Sequence, residues 1–400
     1  MTPIIFRTSD WGNTWTKITD GLPDNGPVNV VREDPTQPGL LFSGTERSVY
    51  FSVDSGDNWH SLRLNLPASS IRDLVVHESD LVVGTHGRSI WILDNFSILR
   101  SLAEATSQSP MLADPPVATR VRWNMFSDTP LPPEEPTGEN PPDGAIIDYY
   151  LPTNSRNVSL EIRYGNDPTT SRVIRRFTSD DVAVDIDSTT LPHPTYWIRP
   201  EQQVGTSQGH HRMVWDLRYA PPAGTRRLFS IAAVQYNTPD GPLGPFVHPE
   251  QYTVFLTVDG MTTEKKLDVR LDPRVQADSS AIALQTEYSL RVYDSYYRLY
   301  KMRNEIDQAL LAINLSARKR SEMQSLRGAG LPGDPDILYG SIYDEPADSE
   351  SVVELQHKFL FMLNVLQGAD ARPTTQAMSA VRALEHSADV LAERWRRISR

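Results

Sequence analysis

Side chains able to do acid–base or anion-binding chemistry are dense near the N-terminus. Arg7, Asp10, Arg32, Glu33, Asp34, Asp54, Arg72, Asp73, His86 and Arg88 all precede residue 90. Glycoside hydrolysis uses such groups: two carboxylates flank the sugar bond, one as acid and one as base or nucleophile. The spacing gives the two best carboxylates a different role. Thr8-Ser9-Asp10-Trp11-Gly12-Asn13-Thr14-Trp15 returns as Ser52-Val53-Asp54-Ser55-Gly56-Asp57-Asn58-Trp59, 44 residues later. In S/T-x-D-x-G-x-T/N-W the hydroxyl and the carboxylate accept backbone N–H groups inside a tight hairpin loop. Gly12 and Gly56 supply the permissive torsions. Trp15 and Trp59 pack as large apolar bodies beside the next strand. Thr8, Asp10, Gly12, Trp15, Ser52, Asp54, Gly56 and Trp59 therefore read as structural, and no catalytic residue is assigned.

The elements that hold these residues repeat as well. LLFSGTERSVYFSVD (40–54) aligns with DLVVGTHGRSIWILD (80–94) with one inserted residue, and VNVVRED (28–34) echoes IRDLVVH (71–77). Short strands with periods of ~40–45 residues are the mark of propeller blades. His86-Gly87-Arg88 falls in a hairpin after a buried-looking strand, and such loops carry function. His86 and Arg88 are thus possible ligand contacts; the competing reading is a tight turn at Gly87 with Arg88 paired to a neighbouring acid. Arg32-Glu33-Asp34 and Arg72-Asp73 also look like charged strand ends. His210 and His211 are adjacent on a strand and point to opposite faces, so they cannot bind one metal together. No metal site or cofactor is expected, and the absence of Cys removes disulfides, thiolate sites and Cys nucleophiles.

The two boxes are similar to the Asp-box, or BNR, repeats of sialidases, sortilin-type propellers and bacterial proteins labelled glycosyl hydrolase. Joined to NLPASSIRDLVVH and GTHGRSIWILD, they resemble the last blades of a group of large sortilin-like propeller proteins in which a C-terminal extension follows. The resemblance implies an incomplete Asp-box β-propeller of about two blades over 1–95, an Ig-like β-sandwich over 143–272 and export from the cell. Closed propellers usually have four to eight blades. Two blades leave open edges, which the helical tail, another copy or a partner should cover. Sialidase-like catalysis would draw a Tyr nucleophile and an Arg cluster from many blades, and 1–95 cannot assemble that set.

The remainder reads as mainly β with an α-helical C-terminus. Residues 96–142 form a connection with a helical piece at 96–105, a short strand near 121–123 and a Pro-rich stretch over 128–142. Six runs between 143 and 272, such as QYTVFLTVDG, are rich in β-branched and aromatic residues, with surface inserts expected near 181–208 and 220–249. From 278 to 400 the period turns helical. Leu284, Tyr288, Val292, Ser295, Leu299, Met302, Ile306, Ala309 and Ile313 step by three or four, predicting one helix from ~280 to ~326. A loop over 327–348 and helices near 349–367 and 374–398 complete a hairpin or small bundle. Tyr293, Tyr296, Tyr297 and Tyr300 read as a packed helix face before a sugar-stacking platform.

The formal charge of −12 disfavours nucleic acid as a partner. Arg394, Arg396, Arg397 and Arg400 suit a helix C-terminus. No run approaches the ~20 apolar residues of a membrane span. No signal peptide is recognisable, and the strand-like Ile4-Ile5-Phe6 at the start suggests a fragment, a processed chain or a shortened gene product. Two functions remain open. One is a binding or scaffold segment that engages a protein or glycan. The other is a fragment of a sialidase-like glycoside hydrolase whose catalytic blades lie elsewhere.

Overall fold

A computed structural model describes residues 2–104, 109–122, 138, 140–165, 171–182, 186, 188–190, 194–225, 228–229, 240–328 and 350–400. The architecture is mixed, with antiparallel sheets and, among the described residues, five α-helices. Most of the Pro-rich stretch and of the loop expected over 327–348 lies outside the described residues, as do parts of both inserts.

The first third forms three small meander sheets. Strands β1 (Phe6–Arg7) and β2 (Thr16–Lys17) make a hairpin. Strands β3 (Val28–Glu33), β4 (Leu41–Thr45), β5 (Val49–Ser52) and β6 (His60–Ser61) follow in chain order as a four-stranded sheet. Strands β7 (Ile71–His77), β8 (Asp80–Thr85) and β9 (Ile90–Leu93) make a three-stranded sheet. Ile71, Leu74, Leu81 and Val83 point inward, a bulge between Ile71 and Asp73 bringing Ile71 to the same face as Leu74, and they share a core with Val30, Phe42 and Val49 of the second sheet. Helix α1 (Ser97–Glu104) closes this core with Phe96, Ile98 and Leu99. Phe96 meets Phe42 edge to face at 5.0 Å between ring centroids.

The second third builds two larger sheets. Strands β10 (Met111–Leu112), β11 (Ala118–Arg120), β12 (Ala145–Leu151), β13 (Val158–Tyr164), β14 (Arg172–Thr178), β15 (Gly209–Trp215), β16 (Leu228–Phe229), β17 (Asp240–Gly241), β18 (Gln251–Val258) and β19 (Met261–Leu271) occur in that order. One sheet runs β10-β12-β15, the other β11-β19-β18-β13-β14, and β16 and β17 pair separately. Inward side chains of both larger sheets share one core, with Trp215 edge-on to Tyr252 at 5.6 Å. Of the strand expected near 121–123, Trp123 lies outside the described residues, and the described strand in this stretch is β11, which pairs parallel to β19. Burial fits that placement: Ala118 and Arg120 face inward, while Val121 and Arg122 are only half-buried.

Helices α2 (Ser279–Leu310), α3 (Ala317–Arg327), α4 (Val352–Gln367) and α5 (Thr375–Ser399) follow. The single helix expected from ~280 to ~326 is therefore two. The chain turns after Leu311, and the Ser316 hydroxyl caps α3 by accepting from Lys319 N. Arg320 then donates to the Leu310 carbonyl at 2.8 Å, satisfying an open end of α2. Ile313, placed on the buried stripe by its spacing, is 96% exposed. Among the described residues, α2–α5 do not cover the N-terminal sheets. Val292, Tyr296, Leu299, Phe359 and Trp395 belong to the core of the two larger sheets, so sheets and helices form one unit rather than a sandwich with a tail.

Candidate functional site

The hairpins of the two repeated motifs carry the same bonds. Gly12 N donates to Thr8 Oγ1 at 2.9 Å, and Gly56 N to Ser52 Oγ at 2.8 Å. Asp10 Oδ1 accepts from Thr14 N at 2.8 Å and Thr8 Oγ1 at 2.9 Å, while Oδ2 accepts from Thr14 Oγ1 at 2.7 Å. Asp54 Oδ1 accepts from Asn58 N at 2.9 Å and Ser52 Oγ at 2.7 Å, while Oδ2 accepts from Asn58 Nδ2 at 2.8 Å. The backbone repeats too, with φ of 61° at Trp11 and 60° at Ser55, then 90° at Gly12 and 92° at Gly56. The backbone and hydroxyl of Thr14 hold Asp10 below the usual carboxylate range. Burial pushes Asp54 up, but bonds from Asn58 and Ser52 outweigh it and leave it lowered. Both carboxylates are thus anions spent inside their own turns, unsuited to giving up a proton near neutrality.

The other charged candidates are also engaged. Arg7 bridges the hairpins, donating to Ser55 O at 2.6 Å and pairing with Asp57 at 2.9 Å. Arg32 pairs with Asp73 at 2.6 Å and donates to Leu74 O at 3.0 Å, tying β3 to β7. Glu33 accepts from Gly39 N at 3.0 Å. Asp34 caps its own turn through Thr36 N and Gln37 N and accepts from Arg100 Nε at 3.0 Å. These acids and bases hold strands together.

A polar patch remains where the β4–β5 and β8–β9 turns come together. Both turns are built alike: Thr45 Oγ1 donates to Ser48 O at 3.0 Å, and Thr85 Oγ1 to Ser89 O at 2.5 Å. Arg88 N in turn donates to Thr85 Oγ1 at 3.1 Å, with Gly87 at a φ of 79°. His86 and Arg88 are exposed on this turn. Beside them stands Glu46, which sequence reasoning missed. Its Oε2 accepts from Ser70 Oγ at 2.9 Å and Asn29 Nδ2 at 3.2 Å, and Arg72 stands 4.0 Å from Oε1. Ser70 and Asn29, then Arg72 and His86, hold Glu46 below its ordinary value. The patch offers one fixed anion among exposed cationic and neutral donors. That set can hydrogen-bond a hydroxylated or mixed-charge ligand, but it lacks the second carboxylate of a glycosidase.

A second polar group joins the two cores. Asp148 is buried, its Oδ1 accepting from His210 Nε2 at 3.0 Å and Arg212 Nε at 2.8 Å, its Oδ2 from Asn95 Nδ2 at 2.9 Å and Arg212 Nη2 at 2.9 Å. Arg212 also donates to the carbonyls of Asp94 and Asn95. His211 turns the other way and stacks on Tyr149 at 5.0 Å. Three tyrosines of α2 spend their hydroxyls on backbone: Tyr293 on Ala220 O at 2.8 Å, Tyr296 on Ala223 O at 2.6 Å and Tyr297 on Pro221 O at 3.2 Å. Between α2 and α5 lies an open cleft of about 520 Å³. Its Trp395 is buried and donates to Glu305 at 2.8 Å, so it offers no stacking surface.

Among the described residues no cluster of three or more His, Asp or Glu could hold a metal ion, and no helix is long and apolar enough to cross a membrane. No known protein-family model matches the chain, and no curated protein matches it.

Proposed function

We propose that this chain is a non-catalytic binding or scaffold segment of a sortilin-like Asp-box β-propeller protein that engages a protein or glycan partner. In this reading β3–β6 are one blade, β7–β9 are three strands of the next, and β1–β2 are the outer pair of the one before. The two larger sheets are the Ig-like module. The observation that carries the reading is the saturation of Asp10 and Asp54 within identical turns. It supports repeat scaffolding and removes the two best acids from chemistry. The patch of Glu46, Arg72, His86 and Arg88 is the proposed contact surface.

The test is a binding screen of immobilised glycans and peptides against the intact chain, its Arg72→Ala and Glu46→Gln variants, and a panel of aryl glycosides. The expected result is saturable binding that weakens at least about tenfold in both variants, a loss of ~1.4 kcal/mol, with unchanged melting. Turnover of any glycoside would replace this reading with the hydrolase one. Binding indifferent to both substitutions would remove the patch.

A further inference from the structure

This protein is acidic, with 39 Lys and Arg against 51 Asp and Glu, yet its cations are unevenly matched. Arg7 and Arg32 of the N-terminal sheets, both partly exposed, are paired with Asp57 and Asp73. The turns of the polar patch invert that balance. Arg47, Arg72 and Arg88 are exposed there around a single carboxylate, Glu46. Arg72 comes no nearer than 4.0 Å to Glu46, and among the described residues no acid pairs with Arg47 or Arg88.

Backbone bonds gather these arginines. Ser69 N donates to Arg47 O at 3.3 Å and His86 N to Ser70 O at 2.8 Å. The β4–β5 and β8–β9 turns are thus fastened to adjacent residues of the segment that leads into Arg72, where two sheets of this chain meet. At the centre Glu46 is half committed: Oε2 accepts from Ser70 and Asn29, while Oε1 accepts no hydrogen bond among the described residues. Each guanidinium can fork onto a carboxylate. The residues of the patch include no Trp, Tyr or Phe on which a sugar ring could lie, so charge is what it offers. A polymer with an anion on every unit would set one of them against Glu46. An acidic peptide interleaves its carboxylates with backbone N–H groups, and Glu46 Oε1 is free to accept one of those between the arginines.

We propose that Arg47, Arg72 and Arg88 bind an acidic peptide segment of a partner protein, an extended run bearing Asp or Glu, with Glu46 accepting from its backbone. Alternate residues of such a run present their carboxylates to one side, toward the arginines. The proposal deepens the scaffold reading by naming the partner's chemistry, and it rests on that reading's contact surface, to which it adds Arg47.

Fluorescence anisotropy on the intact chain tests it, with a labelled peptide of alternating Glu and Ser, its Gln counterpart, and polygalacturonate as competitor. The variants are Arg47→Gln and Arg88→Gln, singly and together, and the pair Arg396→Gln with Arg397→Gln in the other basic cluster, at the end of α5. All four positions are exposed, so matched thermal melts should coincide. The Glu peptide should bind saturably and more weakly as salt rises, and the Gln peptide should not bind. Binding should weaken about threefold in each single patch variant and about tenfold in the double one, and stay unchanged in the α5 variant. A Glu peptide that fails to bind overturns the proposal, as does a loss confined to the α5 variant. Polygalacturonate that binds through the same arginines more tightly than the peptide overturns it in favour of an acidic glycan. Glycan binding that depends on Arg72 and Glu46 while the Glu peptide fails would remove this proposal alone; a patch that binds neither removes the contact surface with it.

Discussion

At the residue scale, position alone does not make a carboxylate reactive; what it already holds decides that. Asp54 accepts three bonds from its own turn, and its Ala variant should lose ~1–3 kcal/mol of stability, read by chemical denaturation. Asp10→Ala should cost less, because its hairpin carries an exposed Trp15 where the second hairpin carries a buried Trp59. Asp148 is the more sensitive acid. Burial pushes its carboxyl up, but bonds from His210 and Arg212 outweigh this and leave it below its ordinary value of 3.8. A depressed folded value means that this stabilisation is complete above the ordinary value and drains away as pH falls through the folded one. Asp148→Ala should therefore destabilise the chain by about 3 kcal/mol at neutral pH, by removing the buried acceptor that Arg212, His210 and Asn95 share, and the difference from wild type should shrink below about pH 4. Denaturation curves across pH check both. The box residues were legible in the sequence because their bonds close within four residues. Glu46 was not, because Asn29 and Ser70 reach it from 17 and 24 positions away.

At the element scale, periodicity names a helix better than it ends one. Ile313 keeps the step of α2, yet it is exposed. What stops the helix is a cap from Ser316 and the Arg320 guanidinium on the Leu310 carbonyl, both of which depend on a turn already made. The tyrosine stripe was readable as a packed face, though its partners were not, since the carbonyls of 220–223 lie more than seventy positions upstream. Tyr296→Phe keeps the ring and removes one buried bond, and should cost ~0.5–1.5 kcal/mol in a thermal or urea melt. An unchanged melt would mean that the hydroxyl adds nothing to the docking of α2. Strands between 143 and 272 were evident from β-branched and aromatic runs. The parallel partner β11 was not, because three residues carry too little pattern to announce a strand.

At the scale of the whole molecule, the sequence suggested blades, sandwich and tail as separable parts, and the buried residues regroup them. One core lies among β3–β9 and α1, the other joins both larger sheets to α2–α5, and Asp148 with Arg212 bridges them. The first core is much the smaller. Native-state hydrogen exchange should find amides of β4 and β8 opening at lower free energy than those of β13, β18 and α2. Equal opening energies would instead make the chain one cooperative unit. The larger core also has a timetable. Arg120, buried on β11, pairs with Asp370, 250 residues further along the chain. A ribosome adding ~5–20 residues per second delivers that partner roughly 10–50 s after Arg120 itself. The N-terminal core can close during that interval, whereas strands of the larger one keep the apolar side that packs on the later helices uncovered. On the ribosome those waiting strands, rather than the boxes, are where a chaperone would find its substrate.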